Sequence, residues 1–124
     1  MKKYVLIVSH GSRETSANRE FKRLVQSYRK RHPSWEIRHA FLELASPSIP
    51  EALESLGGVA KSNPILVLPF FLFTARHVKR DIPAILKTFR KKNPRIKVKT
   101  GNPLGPDPKL LEILDQRLKQ ISLK

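Results

Sequence analysis

Two imidazoles and one carboxylate, His10, Glu43 and His77, each stand just after an apolar run, where a side chain can meet solvent while its backbone stays anchored. His10 follows YVLIVS in the stretch YVLIVSHGSRETSAN, residues 4–18. A neutral imidazole at that place can bind a metal ion or accept a proton near neutral pH. The residues after it are Gly11, which lets the backbone turn sharply and approach a ligand, then Ser12 and Arg13. Glu43, within FLELASPSIP, can accept a proton, assist a metal, or simply be a solvated loop carboxylate. His77 comes after PILVLPFFLF, residues 64–73, the most apolar run of the chain. Imidazole suits cobalt, nickel, zinc and iron, whereas magnesium prefers oxygen. Two imidazoles are half of a tetrahedral site, so the remaining donors must come from a ligand or from a second subunit.

The elements that would position these residues are set by the apolar patterning. KYVLIV, residues 3–8, reads as a strand covered on both faces. From Ala17 to about Arg31, Phe21, Leu24, Val25 and Tyr28 recur at helical spacing, and His32-Pro33 stops that helix. Trp35 to Leu44 supplies a second strand. Ser46 is expected to cap a helix with Pro47 at its first position and Ile49, Ala52, Leu53 and Leu56 as its stripe, ended by Gly57-Gly58. Residues 64–73 give the third strand, with Pro69 near its end because proline cannot donate to a ladder. A helix over Val78–Lys91 points Ile82, Ile85, Leu86 and Phe89 inward. RIKVK, 95–99, is a weak edge strand, and Asp107 caps a last helix beginning at Pro108 and carrying Leu110, Leu111, Ile113, Leu114, Leu118 and Ile121.

The order β-α-β-α-β-α-β-α predicts an α/β fold: one domain over residues 1–124, an open parallel four-stranded sheet with helices on both faces, built of flavodoxin-like βαβ units. In such sheets ligands collect beyond the carboxyl ends of the strands. Those ends hold His10-Gly11-Ser12, Glu43, and Thr74 to His77. Neighbouring strands lie about 4.8 Å apart, so the two histidines are expected to face one another. His32, at a helix C-terminus, and His39, mid-strand, are read as structural. Phe70, Phe71 and Phe73 resemble a stacking platform, although core packing accounts better for at least two of them.

Twenty-five Lys+Arg against 10 Asp+Glu give a formal charge of +15, which favours an anionic partner: nucleic acid, or a small molecule bearing many carboxylates or phosphates. No cysteine is present, which rules out disulfides, thiolate metal sites and a cysteine nucleophile. GxxxxGK[ST], GxGxxG and GxSxG are absent, so the phosphate loop of an ATPase, the dinucleotide fingerprint and the hydrolase nucleophile elbow are not indicated. Basic residues are spread over every element and spell no DNA-binding motif, which makes nucleic acid the weaker partner. No apolar run approaches the roughly 20 residues that span a bilayer, and Met1-Lys2-Lys3 leads directly into a strand. A soluble, cytoplasmic protein is the expectation.

SHGSR at 9–13, LELASPSIPEAL at 42–53, VLPFFLFTARHVKRDIP at 67–83 and PLGPDPKLLEIL at 103–114 together resemble the short-form class II tetrapyrrole chelatases of the small CbiX type. The resemblance covers nearly the whole chain in the right order. It implies insertion of Co2+ or Ni2+, the metal substrate, into sirohydrochlorin, on the way to cobalamin or the nickel cofactor of methanogenesis, with no organic cofactor. Iron insertion toward sirohaem is the close alternative. It further implies that His10 and His77 handle the metal and accept protons, that Glu43 assists, and that a homodimer holds the macrocycle between subunits. Gly11, Ser12, Arg13, Arg76 and Lys79 are the expected substrate-binding residues, since sirohydrochlorin carries eight carboxylates; Arg80 is near them. One departure stands out: Ala75 occupies a position two before His77 that is often glycine in the family.

Overall fold

A computed structural model describes residues 2–73 and 75–121; Thr74 and the side chain of His77 lie outside the described residues. The elements alternate as β1 (Tyr4–Ser9), α1 (Thr15–Arg31), β2 (Glu36–Phe41), α2 (Ile49–Ala60), β3 (Ile65–Pro69), α3 (Arg76–Lys92), β4 (Val98–Thr100) and α4 (Pro108–Lys119). All strand pairs are parallel and the sheet order is β2-β1-β3-β4, so β2 and β4 are its edges. The expected α/β architecture is therefore present.

Two apolar layers flank the sheet. Leu6, Val8, Ala40, Ile65, Val67 and Val98 meet the inner faces of α2 and α3, where Leu53, Leu56, Ile82, Leu86 and Phe89 are buried. On the opposite face Val5, Ile7, Ile37 and Phe41 pack against Phe21 and Val25 of α1. β1, central and sandwiched, is buried at all four of its inner positions, which is why it reads as an uninterrupted apolar run.

Several boundaries differ from the sequence expectation, each for a local reason. α2 is capped by Ser48 and not by Ser46. The Ser48 hydroxyl accepts the Glu51 N–H while the Glu51 carboxylate accepts the Ser48 N–H, a reciprocal box that Ser46 cannot form because Ile49 stands three residues beyond it. Those hydrogen bonds, from the Ser48 backbone first and its side chain second, hold the Glu51 carboxyl below its ordinary value. Gly57-Gly58 does not end α2, which runs on to Ala60. Gly57 serves packing instead: a Cβ there would press to 3.3 Å against both Phe89 and Ile96. β2 is shorter than 35–44, because Phe41 donates to Pro47 O and the chain turns away. β3 stops at Pro69 and leaves Phe70–Phe73 beyond the strand. α3 starts at Arg76, two residues earlier than expected.

Candidate functional site

Parallel pairing continues past the ends of β1 and β2. Leu42 N–H donates to Ser9 O at 2.8 Å and Glu43 N–H to His10 O at 3.0 Å, so the two chains stay in register one residue beyond the strands. That register sets the carboxylate beside the imidazole: His10 Nε2 and Glu43 Oε1 are 2.7 Å apart. Their side chains are 42% and 52% exposed, open enough for a substrate to touch both.

Gly11 makes this approach possible. Its φ is +92°, and a Cβ built there would lie 1.8 Å from Glu43 O. Any side chain at this position would drive the two loops apart. Ser12 then ties the loop to α1. Its N–H donates to Asn18 Oδ1 at 3.0 Å, Asn18 Nδ2 donates to Ser12 O at 2.7 Å, and Ser12 Oγ accepts from Glu14 N–H at 3.0 Å. Sequence reasoning did not single out Asn18. Its signal is a short amide one turn into an amphipathic helix, where a larger polar residue would face solvent.

β1 lies between β2 and β3, so its end is the point where the connections depart to opposite sides of the sheet, the usual ligand crevice of an open parallel sheet. The first turn of α3 stands beyond the end of β3 at this same rim. It contains Arg76, His77 and Lys79; Arg76 and Lys79 are exposed, as is Arg13 beyond β1. Arg80 makes a 3.2 Å ion pair with Asp81. Cations in the first turn oppose the positive end of the helix dipole, and no acid offsets them there, so an anion at this end is electrostatically favoured. Ala75 is the N-cap of α3 with φ −67° and ψ 157°, ordinary extended backbone. Alanine there is unstrained, and its departure from glycine costs nothing.

Leu44 directly follows Glu43 and adopts φ +64°, a left-handed conformation that costs a leucine about 1–2 kcal/mol. Leu44 is exposed, as are Leu72 and Phe73 beyond β3; of these, sequence reasoning singled out only Phe73. Phe70 and Phe71, in contrast, pack partly against the two cores, as expected, while Phe73 is 74% exposed.

The two structural histidines are elsewhere. His32 caps the C-terminus of α1 and stacks on Trp35 at 3.7 Å, the two rings nearly parallel. His39 is half-buried against Phe21 and Phe41. Burial, then the charges of Arg29 and Lys22, lower its pKa, and its Nδ1 has no hydrogen-bond partner among the described residues. No cluster of three metal-ligating side chains occurs among the described residues. No helix among them is long and apolar enough to cross a membrane.

The model of the CbiX family matches residues 4–121. The chain is 33% identical to the chloroplastic sirohydrochlorin ferrochelatase of Arabidopsis thaliana over 93% of its own length and 51% of that protein's. It is 29% identical to the sirohydrochlorin cobaltochelatase of Methanococcoides burtonii, over 94% of this chain and 95% of that one. Among solved structures, the sirohydrochlorin chelatase SirB from Bacillus subtilis subspecies spizizenii in complex with cobalt superposes with a TM-score of 0.89 at 30% identity, over 98% of this chain and 51% of that chain. The chain thus spans about half the length of the Arabidopsis and Bacillus proteins and nearly all of the Methanococcoides one.

Proposed function

The chain belongs to the CbiX family, and from that premise we propose that it is a sirohydrochlorin chelatase, inserting cobalt or nickel as a cytoplasmic homodimer without ATP. The observation that carries this reading is the His10–Glu43 pair, 2.7 Å apart at the strand-end crevice of the sheet. An ionised carboxylate only accepts hydrogen bonds, so it selects the imidazole tautomer with its proton on Nε2. Held in that orientation, the imidazole of His10 is placed to handle a metal ion or a proton. A carboxylate behind a metal-binding histidine fixes the orientation of the ring.

Insertion replaces two pyrrole N–H protons with one M2+ ion, so the reaction releases two protons. In this reading His10 and His77 deliver the metal and accept those protons, and Glu43 draws them off toward solvent. Arg13, Arg76 and Lys79 attract the carboxylates at the macrocycle's edge, with Gly11 and Ser12 giving the ring close access to the backbone. Leu44, Leu72 and Phe73 offer apolar contact to its faces. A second copy covers the open side of the crevice and supplies further ligands.

Iron is the second reading, favoured by the name of the Arabidopsis relative. Anaerobic absorbance of sirohydrochlorin with cobalt, nickel and iron in turn, each against an enzyme-free control, ranks the metals. His10→Ala and His77→Ala should each lower the rate at least 100-fold while the protein stays folded. Rates like the parent's in both variants would refute the mechanism. A basic nucleic-acid-binding domain predicts instead tight, salt-sensitive DNA binding that survives both substitutions.

A further inference from the structure

The loop after β1 carries more hydrogen bonds than its burial calls for. No residue from His10 to Ala17 is buried, and Arg13 and Glu14 are exposed, so this backbone protects no core. Its peptide groups are nonetheless tied one after another. His10 O accepts from Glu43 N–H, Ser12 N–H donates to Asn18 Oδ1, Asn18 Nδ2 donates to Ser12 O, and Glu14 N–H donates to Ser12 Oγ.

Each peptide group is a rigid plane, and only φ and ψ at the Cα between two planes are soft. These bonds therefore fix the planes on both sides of Gly11, Ser12 and Arg13. Asn18 supplies the bonds to the two middle planes, those that flank Ser12. Without it Gly11, at φ +92° and with the widest backbone range of any residue, is held from the His10 side only. Arg13 in turn loses the tie on the plane that precedes it.

The amide of Asn18 suits this task. It stands in the first turn of α1, where side chains lean back toward the helix N-terminus and so over the loop. It offers an acceptor and a donor side by side, which Ser12 N–H and Ser12 O respectively require. What the braced loop presents to solvent is Arg13, which takes part in no ion pair among the described residues. Gripping an anion costs a long side chain its freedom, and a fixed backbone beneath it lowers that cost.

We propose that Asn18 is a positioning residue for substrate capture: by clamping Ser12 it holds the base from which the Arg13 guanidinium grips a carboxylate of the macrocycle. This rests on the chelatase reading above and adds a division of labour to it. His10 is held by the β1/β2 register alone, since Ser9 O accepts from Leu42 N–H and His10 O from Glu43 N–H. Loss of Asn18 therefore weakens binding and leaves the metal and proton steps in place.

Two substitutions test the clamp. Asn18→Leu keeps the side chain's size and removes both bonds, while Asn18→Asp keeps the acceptor for Ser12 N–H and removes the donor to Ser12 O. Affinity for metal-free sirohydrochlorin, read by its fluorescence, should weaken about 3- to 10-fold in each, the cost of ordering one long charged side chain. In anaerobic metallation KM should rise by the same factor, with kcat within about twofold of the parent's. Arg13→Ala should bind at least as weakly, and Asn18→Leu/Arg13→Ala no more weakly than Arg13→Ala alone, because nothing then remains for the clamp to steady. Circular dichroism shows whether each variant is folded, and Asn18→Asp carries the test if Asn18→Leu does not fold. Additive losses in the double variant, parent-like affinity in the Asn18 variants, or a fall in kcat without a rise in KM would overturn the proposal and leave the chelatase reading standing. A parent chain that metallates no sirohydrochlorin overturns that reading, and the proposal with it.

Discussion

Replacing Gly11 with alanine is the sharpest test of how the site is assembled. The new Cβ would lie 1.8 Å from Glu43 O, whereas carbon and oxygen in van der Waals contact stay more than about 3 Å apart, so the loops must separate by more than about 1 Å. Two costs add. A side chain at φ +92° carries about 1–2 kcal/mol of backbone strain, and the Glu43 N–H···O His10 hydrogen bond is worth about 1 kcal/mol. A loss of about 2–3 kcal/mol should lower the melting temperature by roughly 10 °C, leaving the protein folded at room temperature. The effect on the reaction should be larger, because a misplacement of about 1 Å can cost about 100-fold in rate. Thermal melting by circular dichroism and anaerobic sirohydrochlorin metallation, both run on the variant and its parent, measure the two effects. A variant that melts and turns over like the parent would refute the claim that Gly11 sets the His10–Glu43 contact.

Glu43→Gln keeps a hydrogen-bonding group beside His10 but loses the charge and the proton acceptor; metal insertion should fall by about 100-fold or more with the melting temperature unchanged. Leu53→Ala empties a fully buried position between α2 and the sheet and should cost about 2–5 kcal/mol in urea unfolding, with no selective effect on the site. His39 predicts a pH dependence. Its pKa is lowered by folding, so the unfolded chain takes up the proton first as pH falls, and the stability this residue contributes at neutral pH should be lost over the acid interval below the ordinary value of about 6.5. Urea midpoints across that interval should show the slope, and His39→Gln should flatten it.

Element order and sheet class were legible because the signals for them are local. β1 announces itself by burial on both faces, α1 and α3 by helical spacing, and Asp107-Pro108 marks the start of α4 with a cap and a proline that tolerates the first turn. Ser46 misled because a proline follows it directly while a second serine, Ser48, stands two residues on with Pro50 in its first turn, and only the carboxylate of Glu51 decides between them. The candidate site was legible as three strand ends, since parallel topology brings strand ends to one rim. The contact between His10 and Glu43 was not, because it depends on the β1/β2 register carried one residue past the strands. Asn18 and Leu44 were missed for a related reason: one is defined by its bonds to Ser12 and the other by a backbone angle, and neither leaves a periodic trace. Where the imidazole of His77 points lies outside the described residues, and its part in the reaction stays with the proposal.

The brevity of β4 governs how the sheet ends. Three residues long, carrying Lys99 and preceded by Arg95 and Lys97, this border offers a stranger's strand few free peptide groups and a row of ammonium and guanidinium charges. Lateral growth of the sheet into ribbons is thereby discouraged, the protection that short, lysine-bearing margins give many β proteins. On this side of the sheet, unlike the six-residue β2 margin, the backbone has little with which to recruit a neighbour.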